Sequence, residues 1–480
     1  MLFAILTTNA TTAQSVGIGT TAPDASAQLD VTSNDKGVLI PRMTQALRDA
    51  IGTPATGLLI YQTDNTPGFY YYNGSAWTAI AGSGGTGWLL TGNSGTNPAT
   101  DFVGTTDNLP LNFRINNTRA GFLGTNGNIF WGQGSGNNNT GYSNIAIGKD
   151  ALFSNNTAHE LVAIGDSALY FNTAIFNTAV GSKALFNNTN GVDNTAIGTQ
   201  ALYSNITGNN NTANGSHTLY NNTGESNTAI GSAALFSNIT GSFNMASGNA
   251  ALYGNINGNY NTAVVSAALF ANLGNNNTAV GYNVLQNNTT GVDNTSIGFE
   301  ADVSTGSLNN ATAVGSGAIV NVSNKVRIGN GLVTVIEGQV AWSFPSDARF
   351  KYNIKNNVPG LDFITKLKPV TYFFDTEKLD TYTKTGIIDN SIIHPVNYSV
   401  EQELHTGFLA QDVEKIADEL GYQFDGIHKP TNDRDHYSLA YSQFIMPLVK
   451  AVQEQQEMIE DQWEMIKELE KDIQLLKDNK

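Results

Sequence analysis

The chain has 480 residues, with 24 basic and 40 acidic side chains and no cysteine. A net charge of −16 argues against nucleic acid or an anionic membrane as a partner. The lack of cysteine excludes disulfides, thiolate metal sites and a cysteine nucleophile. The length allows two to four domains. Only 13% of residues are charged and 49 are glycine, which suits either a turn-rich β-structure or low-complexity disorder.

The N-terminus indicates export. Residues 1–13 carry no charge and resemble the end of a secretory signal peptide, with Thr11 and Ala13 at the cleavage site. Because no basic residue precedes the apolar stretch, we expect the first methionine to lie within a longer leader. The alternative is a frayed N-terminus. No later stretch has 18 consecutive apolar residues, so we predict no transmembrane helix and a secreted or cell-surface protein.

Residues 14–138 are predicted to form β-rich modules. The segments QSVGIGTTAP at 14–23, LIPRM at 39–43 and GFYYYNGSAW at 68–77 resemble the opening module of secreted bacterial surface proteins. Gly17 to Ala22 also fit the G-x-G-x-x-A pattern of dinucleotide sites, but that pattern requires a preceding strand. Since only the leader remnant precedes it, we expect no nucleotide site and no cofactor.

The middle of the chain is repetitive and nearly uncharged. Between residues 139 and 315 there are eight acidic and two basic side chains. A glycine recurs with a mean spacing of 16.7 residues over the 167 residues from the first to the last. Val265 occupies one of these positions, and the glycines are Gly148, Gly165, Gly181, Gly198, Gly215, Gly231, Gly248, Gly281, Gly298 and Gly315. Disorder does not hold such a register, so the pattern predicts a solenoid over residues 139–330.

The repeating unit indicates the type of solenoid. Asparagine lies four residues before the glycine, and leucine lies four residues after it, usually followed by an aromatic residue. Segments such as Thr228–Ile230 alternate small and β-branched residues, as short strands do. The N-x-x-G stretches, and with them the many N-x-[ST] triplets, are interpreted as turns in which Asn and Gly accept positive φ. We therefore predict a mainly β protein, with a parallel β-solenoid of about 17 residues and two short strands per coil.

These repeats resemble the head repeats of trimeric autotransporter adhesins, whose units read N-[ST]-[AV]-x-[IVL]-G. The resemblance covers residues 139–315 and implies that three β-rolls pack around one axis. It therefore implies a homotrimer that binds a cell-surface or glycan ligand, and the repeats do not identify that ligand.

Histidines do not indicate a metal site. The six are scattered without H-x-x-x-H or H-E-x-x-H spacing, at His159, His217, His394, His405, His428 and His436. Asp433 and Asp435 near His436 form the one tight polar cluster, which is interpreted as a solvated loop. We expect no metal.

The C-terminal region carries most of the charge, with 39 of the 64 charged residues after Pro345. It contains the segment PSDARFKYNI at 345–354, TGFLAQDV at 406–413 and YSLAYSQFIMPLVKAVQE at 437–454. Together these resemble the intramolecular chaperone of phage endosialidases and tailspikes, a self-cleaving serine–lysine peptidase family that includes myelin regulatory factor. The resemblance covers residues 341–480 and implies a small α+β domain. It also implies Ser346 as nucleophile, Lys351 as general base and Pro345–Ser346 as the scissile bond.

The chemistry of such a pair depends on burial. A serine hydroxyl is a poor nucleophile until a neighbouring base takes its proton. A lysine is that base at neutral pH only when desolvation lowers its pKa by several units from about 10.4. Assembly of a trimer would supply this burial, so cleavage would follow correct folding. The alternative for the same residues is an ordinary turn, with Ser346 capping it and Lys351 solvated.

The last segment predicts a coiled coil over residues 445–477. Val452, Ile459, Ile466 and Ile473 recur every seven residues, with Leu448, Gln455, Gln462, Leu469 and Leu476 at the companion position. Ile at the first position and Leu at the second would favour two strands. The family resemblance and the two glutamine layers favour three instead. A monomeric amphipathic helix is the alternative.

Three functions follow from these patterns. The first is a trimeric surface or fibre adhesin, of a bacterium or a phage virion, that cleaves itself once. The second is a hydrolase acting on an external glycan, which requires paired carboxylates that the repeats do not supply. The third is a structural fibre that never cleaves.

Overall fold

The computed structural model of the chain describes residues 15–80, 92–385 and 404–479. The predicted leader at residues 1–13 and His394 lie outside the described residues. The chain divides into two compact units, residues 1–104 and 105–480. Each unit has its own sheets.

The first unit contains two small sheets. Strands β1 (Val16–Ile18) and β2 (Leu29–Val31) form a parallel pair. The second sheet has the order β3-β4-β5-β6, with β3 parallel to β4 and the other pairs antiparallel. Its elements are β3 (Arg42–Met43), α1 (Gln45–Asp49), β4 (Leu59–Gln62), β5 (Gly68–Tyr72) and β6 (Trp77–Ala79). No helix follows β1 directly, so the G-x-G-x-x-A segment lacks the helix N-terminus of a dinucleotide site.

The second unit begins with an antiparallel hairpin that starts the solenoid. Strands β7 (Leu111–Ile115), β8 (Thr118–Leu123) and β9 (Ile129–Trp131) belong to the same 15-stranded sheet as the repeats. Because β7 is an edge of this sheet, the hairpin covers the N-terminal end of the parallel stack.

The repeats form the predicted parallel β-solenoid. Each coil places a three-residue strand beside the equivalent strand of the next coil, in register. The stacked strands are β10 (Ile145–Ile147), β11 (Val162–Ile164), β12 (Thr178–Val180), β13 (Thr195–Ile197), β14 (Thr212–Asn214), β15 (Thr228–Ile230), β16 (Met245–Ser247), β17 (Thr262–Val264), β18 (Thr278–Val280), β19 (Thr295–Ile297), β21 (Thr312–Val314) and β23 (Val326–Ile328). The predicted fold class is confirmed.

The prediction of two strands per coil is wrong for most of the solenoid. In coils such as those of β12 and β13, the side opposite the strand is built from turns, in which the leucine has a positive φ of 50–53° and is fully buried. A second strand pair, β20 (Asp302–Val303) with β22 (Ile319–Val320), forms only near the C-terminal end of the described solenoid. The reason is steric, because a short coil must turn tightly to bring leucine inward against the alanine of the strand.

The prediction that the Asn and Gly of the N-x-x-G stretches take positive φ is also wrong, since glycines such as Gly191 and Gly208 have none, and neither do the asparagines that recur in register. Those of each coil are fully buried and form ladders along the solenoid axis. The side-chain amide of Asn194, for example, donates to the carbonyl of Gly208 at 2.8 Å, and its oxygen accepts from the backbone N–H of Asn211 at 3.0 Å. These ladders satisfy backbone groups that the turns leave unpaired. The glycine of the repeat has a φ of 115–142°, a region that favours glycine.

The C-terminal domain is small and mixed α+β. Its regular elements after the solenoid are α2 (Leu361–Ile364), β24 (Val370–Tyr372), α3 (Thr376–Thr385), β25 (His405–Gly407), α4 (Ala410–Glu419), β26 (Ile427–His428), β27 (Ser438–Leu439) and α5 (Ile445–Asp478). Phe363, Val413, Phe424 and Phe444 form its core. The pairs β24–β25 and β26–β27 are antiparallel, and the 34-residue helix α5 follows.

Candidate functional site

The two side chains that the sequence singles out are in contact. The ammonium of Lys351 donates a hydrogen bond to the hydroxyl of Ser346, with 2.8 Å between Nζ and Oγ. A single 3-10 turn, Ala348–Phe350, lies between them and brings them together across five positions of the chain. The pair is thus set by local backbone geometry.

The turn is held by its own charged residues. The carboxylate of Asp347 accepts from the backbone N–H of Arg349 at 2.9 Å and from the guanidinium of the same residue at 2.6 Å. The guanidinium hydrogen bond lowers the pKa of Asp347, and the same contact raises the pKa of Arg349. Asp347 rather than Ser346 caps this turn, which leaves the serine hydroxyl to Lys351.

The surroundings of the pair are apolar and uncovered within one chain. Ser346 and Lys351 are both exposed. Trp342 and Tyr352, on either side of them, are 83% and 93% exposed. The other large apolar side chains nearby are equally open: Val340, Phe344, Phe350 and Ile354. Exposed apolar side chains of this size are typical of surfaces that bind another molecule.

The other two motifs of the C-terminal region pack against each other. TGFLAQDV forms β25 and the first turn of α4, and the segment from residue 437 onwards forms β27 and the start of α5. The hydroxyl of Tyr441 accepts from the backbone N–H of Phe408 at 3.0 Å, and the rings of Phe408 and Phe444 stack at 5.4 Å. These motifs therefore build the domain core, while the Ser346–Lys351 pair precedes that core in the chain.

Helix α5 leaves its heptad positions exposed. Val452, Ile459, Ile466 and Ile473 are each about half exposed, as are Leu448 and Leu469. Only Pro447 and Ala451, near its start, are buried within the described residues of the helix. The alternative of an amphipathic helix lying along its own domain is thus wrong for most of its length, since that arrangement would bury these residues.

A second apolar surface runs along the solenoid. The third residue of each strand points outward and is exposed or half-buried, and it is usually Ile or Val. Asn214 and Ser247 interrupt this stripe, which otherwise consists of Ile147, Ile164, Val180, Ile197, Ile230, Val264, Val280, Ile297, Val314 and Ile328. The stripe extends over the whole parallel stack.

A polar cluster at the end of the solenoid was missed by sequence reasoning. Asp435 was interpreted as part of a solvated loop, but its side chain is fully buried. Its carboxylate accepts from Nε2 of His428 at 2.8 Å, from the backbone N–H of Thr431 at 3.1 Å and from Nζ of Lys325 at 3.2 Å. Burial acts to raise the pKa of Asp435, but these hydrogen bonds and the charge of Lys325 outweigh it and hold the pKa at about 2.

The loop interpretation failed because Lys325 lies 110 positions earlier in the chain. A contact over that separation has no local sequence signal. Next to this cluster, burial also lowers the pKa of His436, with the charge of Lys325 acting in the same direction.

In the described ranges, no group of three or more His, Asp or Glu could hold a metal ion. Within those same residues, no helix has both the length and the apolar character needed to cross a membrane.

Two segments of the chain match known families. Residues 17–97 match the phage tail like trimerisation region, and residues 346–422 match the chaperone of endosialidase. No curated protein matches the chain. The resemblance predicted for the C-terminal region is confirmed. Together with the β-solenoid, the two matches fit a tail-fibre-like trimeric protein, and such domains suggest a virion or extracellular location.

Proposed function

We propose that the protein is a homotrimeric fibre or surface adhesin whose C-terminal domain aligns three chains and then cuts the Pro345–Ser346 bond. The observation that carries this proposal is the 2.8 Å contact between Lys351 and Ser346, in a segment of the chain whose apolar side chains are exposed. The match to the endosialidase chaperone begins at Ser346, where the proposed cut leaves its new N-terminus. The neutral solenoid would present the binding face toward a surface or glycan ligand.

The proposed trimer supports the chemistry by excluding water. Exposed apolar side chains around the pair would be covered by neighbouring chains, and this desolvation favours a neutral lysine amine. The stripe along the solenoid and the heptad face of α5 offer largely apolar contact surfaces for the same neighbours. We further propose that residues 139–330 form the solenoid domain and that residues 341–480 form the chaperone domain.

The proposed reaction has two steps, transfer of the acyl group to the serine oxygen and hydrolysis of the resulting ester. The amine of Lys351 accepts the proton of Ser346 Oγ as the oxygen attacks the carbonyl carbon of Pro345. The C–N bond to Ser346 breaks, and the Lys351 ammonium returns the proton to the departing α-amine, which leaves an ester. Water then hydrolyses the ester and gives the Pro345 carboxylate and the restored Ser346 hydroxyl.

A denaturing gel of the expressed chain tests the cleavage. We expect fragments of 345 residues, fewer after leader removal, and 135 residues, the second with Ser346 at its N-terminus by mass spectrometry. Ser346→Ala and Lys351→Ala should leave the chain intact. Ser343→Ala and Lys355→Ala, which change exposed residues of the same kind close by, should cleave like the wild type.

Trapping of the ester tests the reaction path. Hydroxylamine added during folding should speed cleavage and place a hydroxamate on Pro345, because it attacks esters far faster than amides. A trimeric wild-type chain that stays whole would refute the peptidase assignment and leave a structural fibre.

A further inference from the structure

Within the described residues, a set of polar contacts joins the solenoid to the C-terminal domain across the proposed cut. Ser304, Asn321, Lys325 and Arg327 precede Pro345 in the chain, and their partners follow it. The partners are Asp380, Asn432, Arg434 and Asp435. We call these eight residues the junction.

The junction is an interface made of polar contacts. The side-chain amide of Asn321 donates to the carbonyl of Arg434 at 2.5 Å, and that of Asn432 donates to the carbonyl of Asn321 at 2.8 Å. The guanidinium of Arg434 donates to the carbonyl of Ser304. Asn321 is buried, and the three bonds are partly buried.

Charge complementarity strengthens this contact. Lys325 pairs with the fully buried Asp435 at 3.2 Å, and Arg327 pairs with Asp380 at 3.6 Å. Both cations belong to the solenoid and both anions to the C-terminal domain. Separating the two parts would remove Lys325 from Asp435 and Arg327 from Asp380, and the loss of these two ion pairs opposes separation.

The junction lies at the end of the parallel sheet. Strand β23 is the last strand of the 15-stranded sheet, and α3 packs against β22 beside it. Open edges of parallel sheets pair with other chains unless they are covered.

We propose that the C-terminal domain stays bound after cleavage, as a non-covalent cap on the solenoid. The partner of this surface is the chain's own 135-residue fragment. This inference rests on the proposed cleavage for its biological setting, but the junction itself can be tested without it. After the cut, non-covalent contacts alone would hold the C-terminal domain at the end of the fibre.

The test is co-elution of the two fragments on a sizing column at neutral pH. A second form of the full chain carries a specific protease site between Gly338 and Gln339, which are exposed, so the cut can be made even if self-cleavage fails. We expect the two fragments to elute together in both forms. Separation of folded wild-type fragments would overturn the proposal.

Variants of single junction residues test whether the junction is what holds the two fragments together. Lys325→Ala changes only the solenoid fragment and Arg434→Ala only the C-terminal one, and each should weaken binding about 100-fold. Lys183→Ala, an exposed solenoid lysine, should leave co-elution unchanged. Circular dichroism checks that each variant is folded. Wild-type retention by both folded junction variants would also refute the proposal.

Discussion

At the scale of single residues, the solenoid depends on backbone conformations that most side chains avoid. Leucine has a φ of 50–53° in successive coils, a strained conformation for a residue with a side chain. Its complete burial against the alanines of the strands offsets that strain. Two positions depart from the pattern, Val265 and Asp302, and each leads to a prediction.

Val265 takes the position of the repeat glycine with a φ of 89°. A β-branched residue in this region carries about 1–3 kcal/mol of strain. Val265 is 44% exposed, so its replacement loses little packing. After the entropic penalty of glycine, Val265→Gly should raise the free energy of unfolding by about 1 kcal/mol. The urea midpoint of the full chain measures this.

Gly181→Val is the reverse change and should lower the same midpoint. At Gly181, with a φ of 137°, a Cβ would lie 2.5 Å from the carbonyl oxygen of Gly198. A lower midpoint for Val265→Gly would show that the valine is not strained.

Asp302 stands where earlier coils have leucine, and burial raises its pKa to about 7. The backbone N–H groups of Val303 and Asn287 donate to its carboxylate and act in the opposite direction. A pKa higher in the folded than in the unfolded state means that the folded state binds the extra proton. Stability should therefore fall as the pH rises from about 4 to about 7.

Asp302→Asn removes this ionisation and keeps an oxygen acceptor. We expect the variant to be about 2–4 kcal/mol more stable than the wild type at pH 8.5 and nearly equal to it at pH 4.5. Urea midpoints at the two pH values measure the difference. Glu300→Gln, an exposed acid two residues earlier, should keep the wild-type pH dependence. An unchanged pH dependence in Asp302→Asn would contradict the assignment.

At the scale of the elements, the coil length and the strand position could be predicted because glycine, alanine and leucine recur at fixed spacing. The conformation of the side of each coil that lies opposite the strand could not be predicted. Asparagine is common in turns, so the pattern indicated turns at Asn, whereas the turns fall on leucine and the asparagines are buried. A one-dimensional pattern does not distinguish an amide that bonds its own turn from one that bonds the next coil.

The asparagine ladder should be a major source of stability. The amide of Asn238 donates to Asn222 at 2.6 Å and to the carbonyl of Gly241 at 2.8 Å, and its oxygen accepts from Asn255 at 2.8 Å. Asn238→Ala removes these three buried hydrogen bonds, although each partner keeps one other bond, and should cost about 2–4 kcal/mol.

The exposed Asn257 is the matched control for Asn238, and Asn257→Ala should change stability by less than about 0.5 kcal/mol. Urea midpoints compare the two variants. Equal midpoints would mean that the ladder contributes little.

At the scale of the whole molecule, local and distant contacts differ in how far the sequence predicts them. Ser346 and Lys351 are five positions apart, and one short turn joins them. Asp435 and Lys325 are 110 positions apart and meet only because the domain docks on the solenoid. The exposed apolar side chains beside the serine and along α5 indicate contacts that lie between chains.

This arrangement predicts that cleavage depends on assembly. Ile466 lies on the heptad face of α5, so Ile466→Glu places three carboxylates together in a trimeric seam and should prevent association. Without neighbouring chains the apolar side chains of Trp342 and Tyr352 stay open to water, so the desolvation that the proposed general base requires is missing. The variant should therefore be monomeric by light scattering and whole on a denaturing gel. Lys471→Glu also places a carboxylate on α5, but off the heptad face, and should remain trimeric and cleaved. A monomeric Ile466→Glu chain that still cuts itself would show that the serine and lysine act within one chain and that burial by neighbours is unnecessary.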